Sequence, residues 1–178
     1  QGHAEPRFAL LDTLREYALE KLTAQGDAEA LWRSHASYYL AMAEDIDAHW
    51  DSSTSDAAIE QLDAEYDNLR AALQWARDRG DLAIGLQLAA ALWRFWRRRG
   101  YLSEGLTWLE ELLALSGDTS EATMLSTRRR ALNGAAWLAS LHSDFAQAAR
   151  LFEESMALGR ALGETESEVR LLDNAARA

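Results

Sequence analysis

The densest gathering of side chains able to do chemistry is Trp93-Arg94-Phe95-Trp96-Arg97-Arg98-Arg99, four guanidinium groups within seven residues of a chain whose formal net charge is −11. Planar, forked donors recognise carboxylates and phosphates bidentately, so the run reads as capture of an anionic or carboxylate-bearing ligand or peptide. The simpler reading is that cations in the last turn of a helix complement its dipole and pair with nearby acids such as Glu104. Other reactive residue types form no pattern. His3, His35, His49 and His142 are scattered, with no His-Glu-x-x-His or comparable ligand spacing. The carboxylates Glu44, Asp45 and Asp47, and Asp63, Glu65 and Asp67, could supply a general acid and base, but at helical spacing they describe a solvated face. There is no Gly-x-Ser-x-Gly elbow, and the absence of cysteine excludes thiolate chemistry and disulfides. The expectation is a chain that is not an enzyme and has no catalytic residue, metal site or cofactor.

The elements that must position the arginines are helices. Alanine (34) and leucine (29) make about a third of the 178 residues, whereas valine and isoleucine total four. Long sheets therefore lack their usual side chains. The single proline is Pro6, so ring geometry breaks no later helix. An acidic surface disfavours nucleic acid as a direct partner. No apolar run reaches the roughly 20 residues that cross a bilayer, and no secretory signal opens the chain. The expected setting is cytoplasmic, without a membrane partner.

Gln1, Gly2 and His3 read as a tag remnant. Thr13 and Glu16 have capping-box spacing and open a helix to about Gln25. Asp27 caps a second helix carrying Leu31, Ala36, Tyr39, Leu40, Ala43, Ile46 and Trp50 at three- and four-residue steps. Further helices are expected over about 56–79, 82–99, 102–115, 121–141 and 145–162, with a start of another over 165–177. Gly80, Gly100 and Gly163 act as stops. The helix over 82–99 is apolar nearly all round, as required of one packed between neighbours.

Internal repetition selects the architecture. Residues 100–111 align with 143–154, bringing Gly105 onto Ala148, Leu109 onto Phe152, and Glu110-Glu111 onto Glu153-Glu154. The offset of 43 residues equals a 34-residue tetratricopeptide period plus about nine loop residues. Gly80-Asp81-Leu82-Ala83-Ile84-Gly85 hints at an earlier copy of the turn. The expected fold is all-α, antiparallel helix-hairpin repeats in a tetratricopeptide-like right-handed superhelix of seven or eight helices. In such repeats the first helix of each pair lines the concave face. Counting from the aligned turns places Gln87, Arg94, Arg97 and Arg98 of one helix, and Arg130, Asn133 and Trp137 of another, on that face. Most of the seven tryptophans read as core, with Trp137 the exception.

Residues 7–22, Arg-Phe-Ala-Leu-Leu-Asp-Thr-Leu-Arg-Glu-Tyr-Ala-Leu-Glu-Lys-Leu, resemble the end of the winged-helix segment of bacterial signal-transduction ATPases of the NB-ARC/STAND class. Residues 62–76 resemble the helix that opens the repeat region of such regulators, and 99–110 are similar to their next repeat turn. The resemblance covers about residues 7–162 and extends to LuxR-type transcriptional regulators. It implies a winged-helix tail over 4–26, a linking helical hairpin over 27–80, and repeats over 81–178 with the last truncated. It further implies a peptide, protein or small inducer in the concave groove and a nucleotide-binding domain upstream. No Gly-x-x-x-x-Gly-Lys-Ser/Thr phosphate loop occurs in this chain, and no intact helix-turn-helix is evident. The alternative is a scaffold that only self-associates, since exposed repeat ends pair readily into homo-oligomers.

Overall fold

The computed structural model describes residues 28–50, 56–117 and 121–163, and its contacts divide the chain into two units, Gln1–His35 and Ala36–Ala178. The described residues form seven helices and no strand: α1 (Ala28–Ala48), α2 (Asp56–Ala64), α3 (Tyr66–Arg79), α4 (Leu82–Arg99), α5 (Leu102–Leu115), α6 (Ala122–Leu141) and α7 (Phe145–Ala161). The expected helices over 13–25 and 165–177, and the proposed winged-helix tail, lie outside the described residues. In the first unit the described residues are the opening turns of α1, where Trp32 and His35 meet edge to face. The rest concerns the second unit.

Its centre is α4. Leu86, Leu88, Ala89, Ala90, Leu92, Phe95 and Trp96 are fully buried, because α3, α5 and α6 all pack against this one helix. Successive antiparallel hairpins, α4/α5 and α6/α7, stack so that α4 lies on α6 while α5 contacts both. This is an all-helical repeat fold. Two glycines set the spacing. A Cβ on Gly105 would stand 2.6 Å from the Trp96 ring, and one on Gly134 would stand 2.8 Å from Trp93. Each large ring is thus seated in a notch on a neighbouring helix.

The repeat is also visible in the backbone. At the ends of α3, α4 and α6, the N–H groups of Asp81, Tyr101 and Asp144 donate to the carbonyls of Ala76, Trp96 and Ala139, each at 2.9 Å. These are the six-to-one bonds of a left-handed helix stop. Gly80, Gly100 and Ser143 hold the positive φ that the stop requires, at 72°, 77° and 68°. Five residues after each, Gly85, Gly105 and Ala148 are buried. The alignment of residue 100 with 143 therefore joins positions with the same backbone conformation and the same helix-stop hydrogen bond. Asp81 and Asp144 cap the helices they open by accepting from the N–H groups of Ile84 and Gln147.

A period of 34 residues appears as side-chain pairing between α3 and α5. Arg70 donates to Glu104 (2.6 Å) and Arg77 to Glu111 (2.9 Å), each across 34 positions. The Arg70 guanidinium holds the Glu104 carboxyl below the usual carboxylate range. Glu104 is thus matched to Arg70 rather than to the arginine run at the end of α4. The reason is register: one repeat length along the chain brings Glu104 level with Arg70 on the adjoining helix.

One expected helix is two. The stretch over 56–79 breaks at Glu65, whose backbone (φ −104°, ψ 8°) leaves the helical region. Its N–H is shared between the carbonyls of Gln61 and Leu62, while its carboxylate accepts from the Tyr39 hydroxyl at 2.9 Å and the Asn68 amide at 2.7 Å. A side chain held by α1 and by its own next turn tightens the helix there, and no glycine or proline is needed.

Two outcomes follow from this packing. Gly105→Ala should destabilise the chain by about 1–3 kcal/mol in urea unfolding, because the clash with the buried Trp96 ring outweighs the gain of roughly 1 kcal/mol in helix propensity. Ser143→Gly should stabilise it by about 0.5–1 kcal/mol, because it removes a side chain from the left-handed region.

Candidate functional site

The Trp93–Gly134 contact fixes more than core geometry. Arg94 follows Trp93 on α4, and Asn133 precedes Gly134 on α6, so seating one ring in one notch brings Arg94 beside the row formed by Arg130 and Asn133. The last turn of α1 completes the site with Asp47. Its Oδ1 accepts from Arg94 and its Oδ2 from Arg130, the latter at 2.7 Å. The Asp47 side chain is only 8% exposed, Arg94 13% and Arg130 36%. These three partners come from three helices and lie 47 and 83 positions apart in sequence.

A cavity of about 260 Å³ opens beside them, lined by Asp47, Ala48, Trp50, Trp93, Arg94, Arg129, Arg130 and Asn133. Three guanidinium groups face one carboxylate in this lining. Arg129 is buried, and Arg94 Nε is buried with no hydrogen-bond partner among the described residues. Crowding of cations continues along α4. The Arg94 and Arg97 guanidiniums lie 4.8 and 5.7 Å from the centre of the Trp93 ring. Burial, followed by the charges of Arg94 and Arg98, pulls the Arg97 pKa down. In an acidic chain this is a locally basic, partly desolvated surface, where a charge interaction is screened less than in bulk water.

The residues expected on the concave face divide into two groups. Arg94, Arg130 and Asn133 meet at the cavity. Gln87, half-buried two turns before Arg94, does not line it. Arg97 lies over Trp93, Arg98 reaches Asp56 at 3.6 Å, and Arg99 pairs with Asp63. Trp137 packs edge to face on Phe152, with ring centres 5.6 Å apart. By sequence Asp47 reads as a solvated carboxylate and Trp50 as part of an apolar stripe, and Arg129 carries no assignment; in the structure all three line the cavity. The available signal was the end of α1, which carries no basic residue in its last turn. A helix C-terminus with an added carboxylate needs cations from elsewhere.

A second, more open cavity lies between α3 and α5, lined by Arg77, Ser103, Glu104, Thr107, Trp108 and Glu111. Its charges are already matched, Arg77 to Glu111 and Glu104 to Arg70. Among the described residues no group of three or more histidine or acidic side chains could hold a metal ion. No described helix is long and apolar enough to cross a membrane.

No protein-family model matches the chain, and no solved structure matches it. It is similar to mycobacterial proteins that carry the provisional name HTH-type transcriptional regulator. One is from Mycobacterium bovis and two are from strains of Mycobacterium tuberculosis, each 34% identical over 170 residues. The match takes in 93% of this chain and 19% of each relative, so the chain spans about a fifth of the length of these proteins. It is related to a stretch of proteins named as transcriptional regulators.

Proposed function

We propose that this chain is the non-catalytic sensing and interaction stretch of a larger transcriptional regulator, with a nucleotide-binding ATPase module preceding it. A peptide, protein or small inducer bearing an anionic group would occupy the groove, and occupancy would be passed to the neighbouring modules. The observation that carries this reading is the convergence of Arg94, Arg129, Arg130 and Asn133 on one cavity with a single carboxylate among them. A surface built only as a spacer has no need to gather partly buried guanidiniums around one cavity, because their desolvation is costly. The mycobacterial relatives support the regulatory context through their names, and the resemblance of residues 7–22 and 62–76 to STAND-class regulators supports the ATPase.

The test uses a transcription reporter driven by the full-length regulator containing this stretch. Arg130→Ala with Asn133→Ala should leave the amount of protein unchanged and move the midpoint of the response to inducing conditions. Losing charge-assisted hydrogen bonds worth about 1.5–3 kcal/mol corresponds to a shift of roughly ten- to a hundred-fold in inducer. An unmoved midpoint takes the groove out of the signalling route. Light scattering of the chain over a concentration series addresses the scaffold alternative: self-association together with an unmoved midpoint would favour it.

A further inference from the structure

Two guanidinium groups share one carboxylate at the end of α1. Asp47 accepts from Arg94 through Oδ1 and from Arg130 through Oδ2, and neither arginine pairs with another carboxylate among the described residues. The trio therefore carries one surplus positive charge. Asp47 and Arg94 are almost covered, so Arg130, with 36% of its side chain exposed, is the member that a solute reaches. Groups able to receive an anion stand beside it. Arg130 uses only Nη2 on Asp47, and the half-buried Asn133 amide at the same cavity has no hydrogen bond among the described residues. The adjoining wall is aromatic. Trp50 is half-buried there, and its ring meets no other ring or guanidinium among the described residues, whereas Trp93 already carries those of Arg94 and Arg97.

We propose that the cavity between the end of α1, α4 and α6 binds a small aromatic monocarboxylate, its carboxylate on Arg130 and Asn133 and its ring on Trp50. The inference rests on the groove being a binding site, and it adds the class of ligand. One carboxylate brings the trio to two charges of each sign, so Asp47 keeps both of its bonds and no helix has to move. Charge-assisted bonds from a planar guanidinium suit a planar carboxylate, and partial burial screens them less than bulk water would. A flat ring lies against an indole in an offset stack, which an aliphatic acid cannot form. The cavity of about 260 Å³ lies just under the usual range for drug-sized ligands and suits a single ring with a short substituent, roughly ten non-hydrogen atoms.

The experiment is calorimetric titration of the full chain with benzoate, set beside benzamide, which keeps the ring and lacks the charge, and acetate, which keeps the charge and lacks the ring. Benzoate should bind saturably, and each control at least roughly tenfold more weakly, the fold-change that one lost charge-assisted bond or ring contact produces. Asn133→Asp leaves every guanidinium in place and supplies the second carboxylate from within the chain, so it should abolish benzoate binding. Trp50→Ala should weaken benzoate about tenfold, toward the affinity of acetate. If Asn133→Asp fails to fold, Arg130→Gln removes the surplus charge at a more exposed position, and it should abolish benzoate binding with the circular dichroism unchanged. Benzoate and acetate binding alike overturns the aromatic class, benzoate and benzamide binding alike overturns the anion, and undiminished benzoate binding in Asn133→Asp or Arg130→Gln overturns the site. Absence of saturable benzoate binding overturns the ligand class altogether, while the reporter midpoint for Arg130 and Asn133 still decides whether the groove senses anything.

Discussion

The contact of the Trp93 ring with the bare Cα of Gly134 governs both the packing and the site. Any side chain at residue 134 would hold α4 and α6 further apart, since its Cβ would lie 2.8 Å from Trp93. That separation would carry Arg94 away from Arg130 and Asn133, and one carboxylate could no longer span both guanidiniums. Trp96 on Gly105 does the same for α4 and α5. Its indole N–H donates to the Tyr66 hydroxyl at 2.7 Å, and Tyr66 stacks on Tyr101. Adjacent turns of α4 thus tie together α3, α5 and α6. Close-packed interiors transmit such spacing with little slack, and a side chain three helices away from its partner can be positioned by it.

Charge is distributed with the same division of labour. Between α3 and α5 each arginine meets a carboxylate across the interface and another on its own helix, Arg70 with Glu104 and Asp67 and Arg77 with Glu111 and Asp78, all partly or fully exposed. Pairs of this kind contribute little individually, about 0–1 kcal/mol, and serve mainly to hold register. Around Asp47 one carboxylate spans two guanidiniums, and Asp47 and Arg94 are the less exposed members. Burial raises the strength of each interaction and the cost of removing one partner from the other. The two regions use the same residue types, and they differ in stoichiometry and in access to water.

How much of this was legible in the sequence depends on the distance over which each feature is determined. Helices α4 and α5 end where Gly100 and the polar stretch from Ser116 place their stops, because helix termination is set within a few residues. The recurrence of the turn was readable from small and acidic residues alone, and the positive φ of Ser143 shows that the alignment was of conformation as well as of residue type. The break at Glu65 was not readable, since it depends on Tyr39, which lies 26 positions earlier. Helical counting grouped Arg94, Arg130 and Asn133 with Arg97, Arg98 and Trp137, and it could not tell that the first three line one cavity while the others meet Trp93, Asp56 and Phe152. Counting gives the direction a side chain leaves its helix and says nothing of what stands opposite. Asp47 was missed for that reason: its partners lie 47 and 83 positions away, and its neighbours Glu44 and Asp45 give it the look of a solvated surface.

Asp47, Arg94 and Arg130 meet at a junction of three helices, and the three are not held there in the same way. Helices α4 and α6 are locked to each other by the Trp93 notch, so the distance between Arg94 and Arg130 is held by the core. Below α1 the contacts are of another kind. Ala36, Leu40, Ala43 and Ile46 are its buried residues, small or aliphatic, and its far end is held at Arg94 and Arg130 by one aspartate. The last turn of α1 is thus seated by two neighbouring residues of different kinds, the buried Ile46 and the ion-paired Asp47. The glycine notches thereby set the spacing of the two guanidiniums that Asp47 spans, and with it the seat of the last turn of α1.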